Sequence, residues 1–138
     1  MSGQLFTTAL YRYIEVDETF YAFYEHYDPD RAIMDAIRHI QPQAFVITSS
    51  RYSCPDCSRH VPGMARIAEH LPGWTWSIAD DENSQQKITL GITRVPTFIV
   101  YSREDGPELG RIIEHPLSGL LERDLLTIVS RARGASNH

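Results

Sequence analysis

Arg51-Tyr-Ser-Cys-Pro-Asp-Cys-Ser-Arg-His60 holds the only two cysteines of the chain, Cys54 and Cys57. Just before it, Ala44-Phe-Val-Ile-Thr48 is a short apolar run that reads as a buried strand, with a polar loop over 49–53. Just after it, Val61, Met64, Ala65, Ala68 and Leu71 recur at helical spacing. A Cys-x-x-Cys between a strand and a helix is a redox arrangement. Cys57 lies four residues before Val61 and falls on the inward helix face, while Cys54 sits at the helix start, open to solvent. The two thiols therefore differ in exposure, as an attacking and a resolving thiol must. Pro62 falls inside the helix and is expected to kink it.

Towards the C-terminus, Pro72-Gly73 ends the helix and Trp74-Thr-Trp-Ser-Ile78 alternates as a strand. Asp80-Asp-Glu-Asn83 reads as a polar turn, followed by a short helix over 84–90 with Gly91 as its C-terminal cap. Thr97-Phe-Ile-Val-Tyr101, the turn signal Asp105-Gly106 and Leu109 to Ile113 form an antiparallel hairpin. Pro116 and the segment from Leu117 open a last helix, with Leu121, Leu125, Ile128 and Ala132 on one face, and 131–138 reads as a polar tail.

Towards the N-terminus, Ile33, Ile37 and Ile40 form a helical stripe with Met34 beside it, which Pro42 stops. Asp28-Pro29 is the expected cap of that helix. Asp17 caps an earlier helix with Phe20, Phe23, Tyr24 and Tyr27 on one face, a core-packing face or a stacking surface. Residues 1–16 are ambiguous. The element order predicts an α/β sandwich around a four-stranded mixed sheet, with a helical extension over 17–41.

A chain of 138 residues with 42% hydrophobic and 22% charged residues implies a single domain, here 1–138, that builds a core without disulfide staples. The net charge of −5 argues against nucleic acid or an anionic membrane as a general partner. No apolar run approaches membrane-spanning length, and the N-terminus lacks the basic start and long apolar segment of a signal peptide. The expected location is cytoplasmic, where a cysteine pair is redox-active or metal-binding rather than a structural staple. Cys54, Cys57 and His60 make a partial zinc pattern without a second ligand pair, and Asp80, Asp81 and Glu82 read as a solvated turn. Neither a metal nor a cofactor is expected. Walker, Gly-x-Gly-x-x-Gly, Gly-x-Ser-x-Gly and His-Glu-x-x-His motifs are absent.

With these elements in order, the chain resembles the thioredoxin superfamily over roughly residues 42–133. The marks are Cys54-Pro-Asp-Cys57, Pro62 five residues after the second cysteine, Val95-Pro96-Thr97 before a core strand, and Asp105-Gly106 with Leu109-Gly-Arg-Ile-Ile113. Asp81-Glu-Asn83 and Gly110-Arg111 followed by Glu114-His-Pro116 resemble a bacterial thioredoxin-like group with a helical N-terminal extension. The resemblance implies a thiol–disulfide oxidoreductase with Cys54 as nucleophile and Cys57 as resolving thiol. It implies a cis Val95–Pro96 bond facing the cysteines, with the Val95 backbone pairing an extended substrate and Ser53, Pro55 and Asp56 beside it. Substrates would be protein disulfides or low-molecular-weight thiol compounds, with a reductase as a candidate electron donor.

Four positions depart from thioredoxin. Ser53 replaces a tryptophan, Thr48 a buried aspartate, and Pro55-Asp56 a Gly-Pro pair. A helix N-terminus favours a thiolate at Cys54, and Arg51 and Arg59 add positive charge if they fold toward it. Asp56 opposes a second negative charge, which predicts a reductant rather than a disulfide donor. The alternative is a non-enzymatic thioredoxin-fold module that binds peptides or proteins, since fold does not fix function.

Overall fold

The computed structural model describes residues 2–79 and 84–136, and the side chains of 9–79 and 85–134. Its centre is β1 (Ala44–Ser49), buried at five of six positions because both faces are covered. β1 pairs in parallel with β2 (Trp74–Ala79) and antiparallel with β3 (Thr97–Tyr101), which pairs antiparallel with β4 (Glu108–Ile113). The order β2-β1-β3-β4 gives a four-stranded mixed sheet. Parallel β1 and β2 need a crossover, and the cysteine-bearing helix, labelled α4 (Pro55–Glu69), supplies it.

α4 has Pro55 in its first turn, where the missing N–H costs nothing, and carries Pro62 in its interior. Cys57, Val61, Met64, Ala65 and Ala68 are buried along it, and Leu71 just beyond it, as the spacing predicts. Three helices precede β1: α1 (Ser2–Glu15), α2 (Glu18–His26) and α3 (Arg31–Ile40). α1 resolves the ambiguous N-terminus. It buries Leu10 and Ile14 in the same core as Trp74 and Val61, so helical structure begins well before residue 17.

The Asp17 carboxylate caps α2 by accepting the Thr19 and Phe20 N–H groups at 3.0 and 3.1 Å. The cap of α3 is Asp30 rather than Asp28, accepting the Ile33 N–H at 3.0 Å. Three residues of separation let the carboxylate reach that donor, and Pro29 stays outside the helix. On α2 only Phe20 is fully buried, and Phe23 faces solvent, so the four aromatics do not form one buried face.

Two helices follow β2. α5 (Ser84–Leu90) ends at Gly91, whose φ of +70° is the left-handed cap expected there. α6 (Leu121–Ser136) starts four residues later than Leu117 and runs through most of the expected polar tail. Its buried apolar positions are Leu121, Leu125 and Val129, with Glu122 buried beside them, while Ile128 packs on Gly110 from the flank. Asp124 accepts the Leu117 and Ser118 N–H groups, holding 117–118 as a turn ahead of the helix. The expected turn over 80–83 lies outside the described residues.

Gly73 joins α4 to β2 where the chain passes the Pro42 backbone. A Cβ there would lie 2.1 Å from the Pro42 carbonyl oxygen. Backbone cannot yield as a flexible side chain does, so Gly73→Ala is expected to cost about 2 kcal/mol or more by urea denaturation. Stability within about 0.5 kcal/mol of the parent would contradict this packing.

Candidate functional site

The end of β1 delivers Ser50 to Ser53 to the start of α4, where Cys54 is the N-cap. Its sulfur accepts the Cys57 N–H at 3.1 Å, the bond a capping side chain makes to a donor unpaired within the helix. The Cys54 carbonyl accepts the Ser58 N–H at 3.0 Å, and the Ser58 hydroxyl donates to the Pro55 carbonyl at 2.8 Å. Both cysteines are free thiols. Cys54 is half-buried and Cys57 fully buried, the inequality that helix periodicity predicts. Ser53 is exposed, and Pro55 and Asp56 are exposed in the first turn of α4.

Across from Cys54 lies the loop before β3. The Val95–Pro96 peptide bond is cis, and the Cys54 thiol points to the Val95 carbonyl oxygen at 3.7 Å. The structure thus brings together Cys54, Cys57, Val95 and Pro96. Ser53 and Asp56 sit beside them by chain continuity, and among the described residues no hydrogen bond draws either side chain in.

Burial is the main cause that pushes the Cys57 thiol up, from 9.0 to about 12, and the adjoining Cys54 sulfur adds to it. Ser50 and the Arg51 backbone oppose the rise. One turn further on, burial also lowers His60 from its ordinary value, with Asp56 opposing and Arg59 and His115 reinforcing. Thr48, at the position where thioredoxin has an aspartate, is fully buried opposite Phe98 and Ile78 in the sheet register. Among the described residues its hydroxyl and that of Ser49 have no hydrogen-bond partner, leaving a polar floor without a carboxylate at the end of β1.

The raised thiol has a consequence for stability. The unfolded chain loses this proton near pH 9, whereas the folded chain holds it to about pH 12. Stability from this group is complete below pH 9 and declines as pH rises toward 12. The reduced protein should therefore lose its stability relative to Cys57→Ser above pH 9 by up to about 1.4 kcal/mol per pH unit. Tyr24 and Tyr27, also raised chiefly by burial, are present in both proteins and cancel in the difference. Urea denaturation from about pH 8 to about pH 10.5 checks it, and parallel curves would contradict it.

Sequence reasoning missed two features of the site. Tyr52, two residues before Cys54, stacks on Tyr13 of α1 with ring centroids 4.3 Å apart and donates its hydroxyl to the Tyr13 carbonyl at 2.6 Å. Phe20 of α2 meets both rings edge-on, so the N-terminal helices brace the loop that carries the cysteines. Glu114, with φ of +67°, sits against the Val95–Pro96 loop. The spacing of neither pair in sequence signals its contact. Among the described residues no group of three or more His, Cys, Asp or Glu side chains is placed to hold a metal ion. No helix among them is long and apolar enough to cross a membrane.

Solved structures share this architecture. A protein of unknown function from Pseudomonas aeruginosa is 16% identical, with a TM-score of 0.66 over 85% of this chain and 83% of that one. Thioredoxin from Fasciola hepatica is 22% identical, with a TM-score of 0.52 over 70% of this chain and 88% of its own. Thioredoxin from Trypanosoma brucei brucei is also 22% identical, at 0.51 over 71% and 83%. Such identities speak for the fold alone. No curated protein matches the sequence. The family model described as Thioredoxin matches residues 3–119, which takes in the N-terminal helices, the cysteine pair, the cis-proline loop and the hairpin. With the four-stranded mixed sheet and the free cysteine pair at the start of α4, that match identifies the chain as a member of the thioredoxin family.

Proposed function

We propose that the protein is a thiol–disulfide oxidoreductase that reduces protein or small-molecule disulfides through Cys54 and Cys57. The observation that carries this reading is the inequality of two sulfurs within one helical turn. Cys54 is reachable and its sulfur accepts the Cys57 backbone N–H, whereas Cys57 is buried and keeps its proton. An attacking thiol and a resolving thiol need that division.

The Cys54 thiolate attacks one sulfur of a substrate disulfide. The substrate S–S bond breaks, the departing thiolate takes up a proton, and a mixed disulfide with Cys54 forms. Cys57 then gives up its proton and attacks the Cys54 sulfur. The second substrate thiol leaves, two electrons have passed to the substrate, and a Cys54–Cys57 disulfide remains. A reductase, or two molecules of a low-molecular-weight thiol that leave joined as a disulfide, returns two electrons and two protons to the pair, and the protein needs no cofactor of its own. The Val95 carbonyl is the acceptor on which an extended substrate would pair, beside Ser53, Pro55 and Asp56. The proposed couple is reducing, with a cytoplasmic role in redox homeostasis. Residues 1–138 would act as one domain, the extension (17–41) bracing the core (42–133).

Reduction of insulin and of a small aromatic disulfide, with dithiothreitol as donor, tests this reading. Acceleration over the uncatalysed rate supports it. A potential near that of strong periplasmic oxidants, about −120 mV, would overturn the reducing direction. No acceleration with either substrate would move the assignment to a non-enzymatic peptide- or protein-binding module.

A further inference from the structure

Three successive carbonyls, those of Arg94, Val95 and Pro96, face different partners. The Arg94 carbonyl accepts the Thr97 hydroxyl at 2.6 Å. The Pro96 carbonyl accepts the Glu114 N–H at 2.7 Å. Between them the Val95 carbonyl faces the Cys54 thiol at 3.7 Å. The outer two are held by the protein itself, and the central one is left for the thiol and for a substrate.

Glu114 holds this loop from both sides. Its backbone N–H takes Pro96, and its carboxylate Oε1 meets Arg94 Nη1 at 2.6 Å. It does so with φ of +67°, the only non-glycine residue with positive φ among those described. A side chain persists in that region where its surroundings over-determine it. The sheet register supplies the surroundings: Thr97 pairs with Ile113 at the end of the hairpin, so the residue after Ile113 emerges beside the loop. The Arg94 side chain is 68% exposed, and ion pairs that open contribute little to global stability. The effect of the pair is therefore local, on the loop whose Arg94 side chain it holds.

We propose that Glu114 is a positioning residue, which fixes the Val95 carbonyl opposite Cys54 by binding the chain on either side of it and so sets the docking of an extended disulfide peptide. This rests on the disulfide-exchange reading above. A small disulfide without a peptide backbone does not use that carbonyl, and its reduction is indifferent to Glu114.

The test measures the full-length protein, Glu114→Gln, Glu114→Gly, and the charge swap Arg94→Glu/Glu114→Arg against a peptide disulfide and a small aromatic disulfide. Glu114→Gln should raise KM for the peptide about three- to fivefold, with kcat and the small-disulfide rate within about twofold. Glu114→Gly removes the cost of the left-handed conformation, so Tm holds or rises while KM for the peptide still increases. The swap should recover at least half of the loss in KM. An unchanged KM in both single variants would overturn the proposal. An equal loss on both substrates together with a lower Tm would make the role structural and overturn it too. Inactivity of the parent protein on both substrates would instead sink the disulfide-exchange reading, and the role of Glu114 with it.

Discussion

Cys57→Ser is expected to stop turnover and to leave Cys54 joined to its substrate through a mixed disulfide. In the parent, the resolving sulfur sits one helical turn from the attacking one, and the Cys57 N–H lies 3.1 Å from the Cys54 sulfur. Without that second thiol the intermediate has no internal route of release, and only added thiol frees it. Turnover without excess thiol should fall on the order of a thousandfold, and mass spectrometry should find the adduct on Cys54. Cys54→Ser should lose activity to a similar extent but form no adduct, because Cys57 is fully buried and keeps its proton to about pH 12. Parental turnover by Cys57→Ser without added thiol would refute the dithiol mechanism. An adduct on Cys57 in Cys54→Ser would reverse the two roles.

Glu122→Ala is expected to be the most destabilising single change outside the apolar core. Glu122 is only 2% exposed, in the first turn of α6. It accepts the Tyr27 hydroxyl, in a very short bond, and the Asp30 N–H at 2.7 Å. Tyr27 is the C-cap of α2 and Asp30 the N-cap of α3, so one carboxylate ties both helix ends to α6. The same junction is closed by Gly63 of α4, where a Cβ would come within 3.1 Å of the Tyr27 ring and 3.0 Å of Leu121. Removing the carboxylate leaves a part-buried hydroxyl and a part-buried N–H unpaired, at a cost of about 2–4 kcal/mol. For a chain of this length that lowers Tm by roughly 10 °C. Glu122→Gln retains one acceptor and should lose about half as much. A loss below about 0.5 kcal/mol in Glu122→Ala would show that water satisfies these groups after undocking.

Much of the fold was legible because local signals agreed with each other. The apolar run at 44–48, the inward stripe after Cys57 and the turn at Asp105-Gly106 each named one element. Helix ends were read less well. Asp28 and Asp30 both precede the Ile33 stripe, and only the geometry of the Ile33 N–H selects Asp30. The N-terminal helix was left ambiguous because its apolar Leu5, Phe6, Ala9, Leu10 and Ile14 are interleaved with threonines and tyrosines and make no clean stripe. The aromatic segment misled in part. Spacing put Phe23 on the face of Phe20, but α2 buries Phe20 fully, packs Tyr24 on the core only in part and leaves Phe23 to solvent.

Of the candidate site, the sequence determined the cysteine pair, its place between a strand and a helix, and which sulfur is buried. A period of 3.6 residues fixes which side chains share a helix face, whatever the helix packs against. Of the pair's surroundings, the family resemblance pointed to Val95 and Pro96, and tertiary structure alone decided the contacts of Glu114 and Tyr13. Val95 stands 41 residues from Cys54 in the chain, yet its carbonyl faces the thiol. Glu114 grips that loop from the end of a hairpin, and Tyr13 braces Tyr52 from 39 residues away. These contacts arise from strand register and helix docking, which depend on the whole core, so no local pattern encodes them.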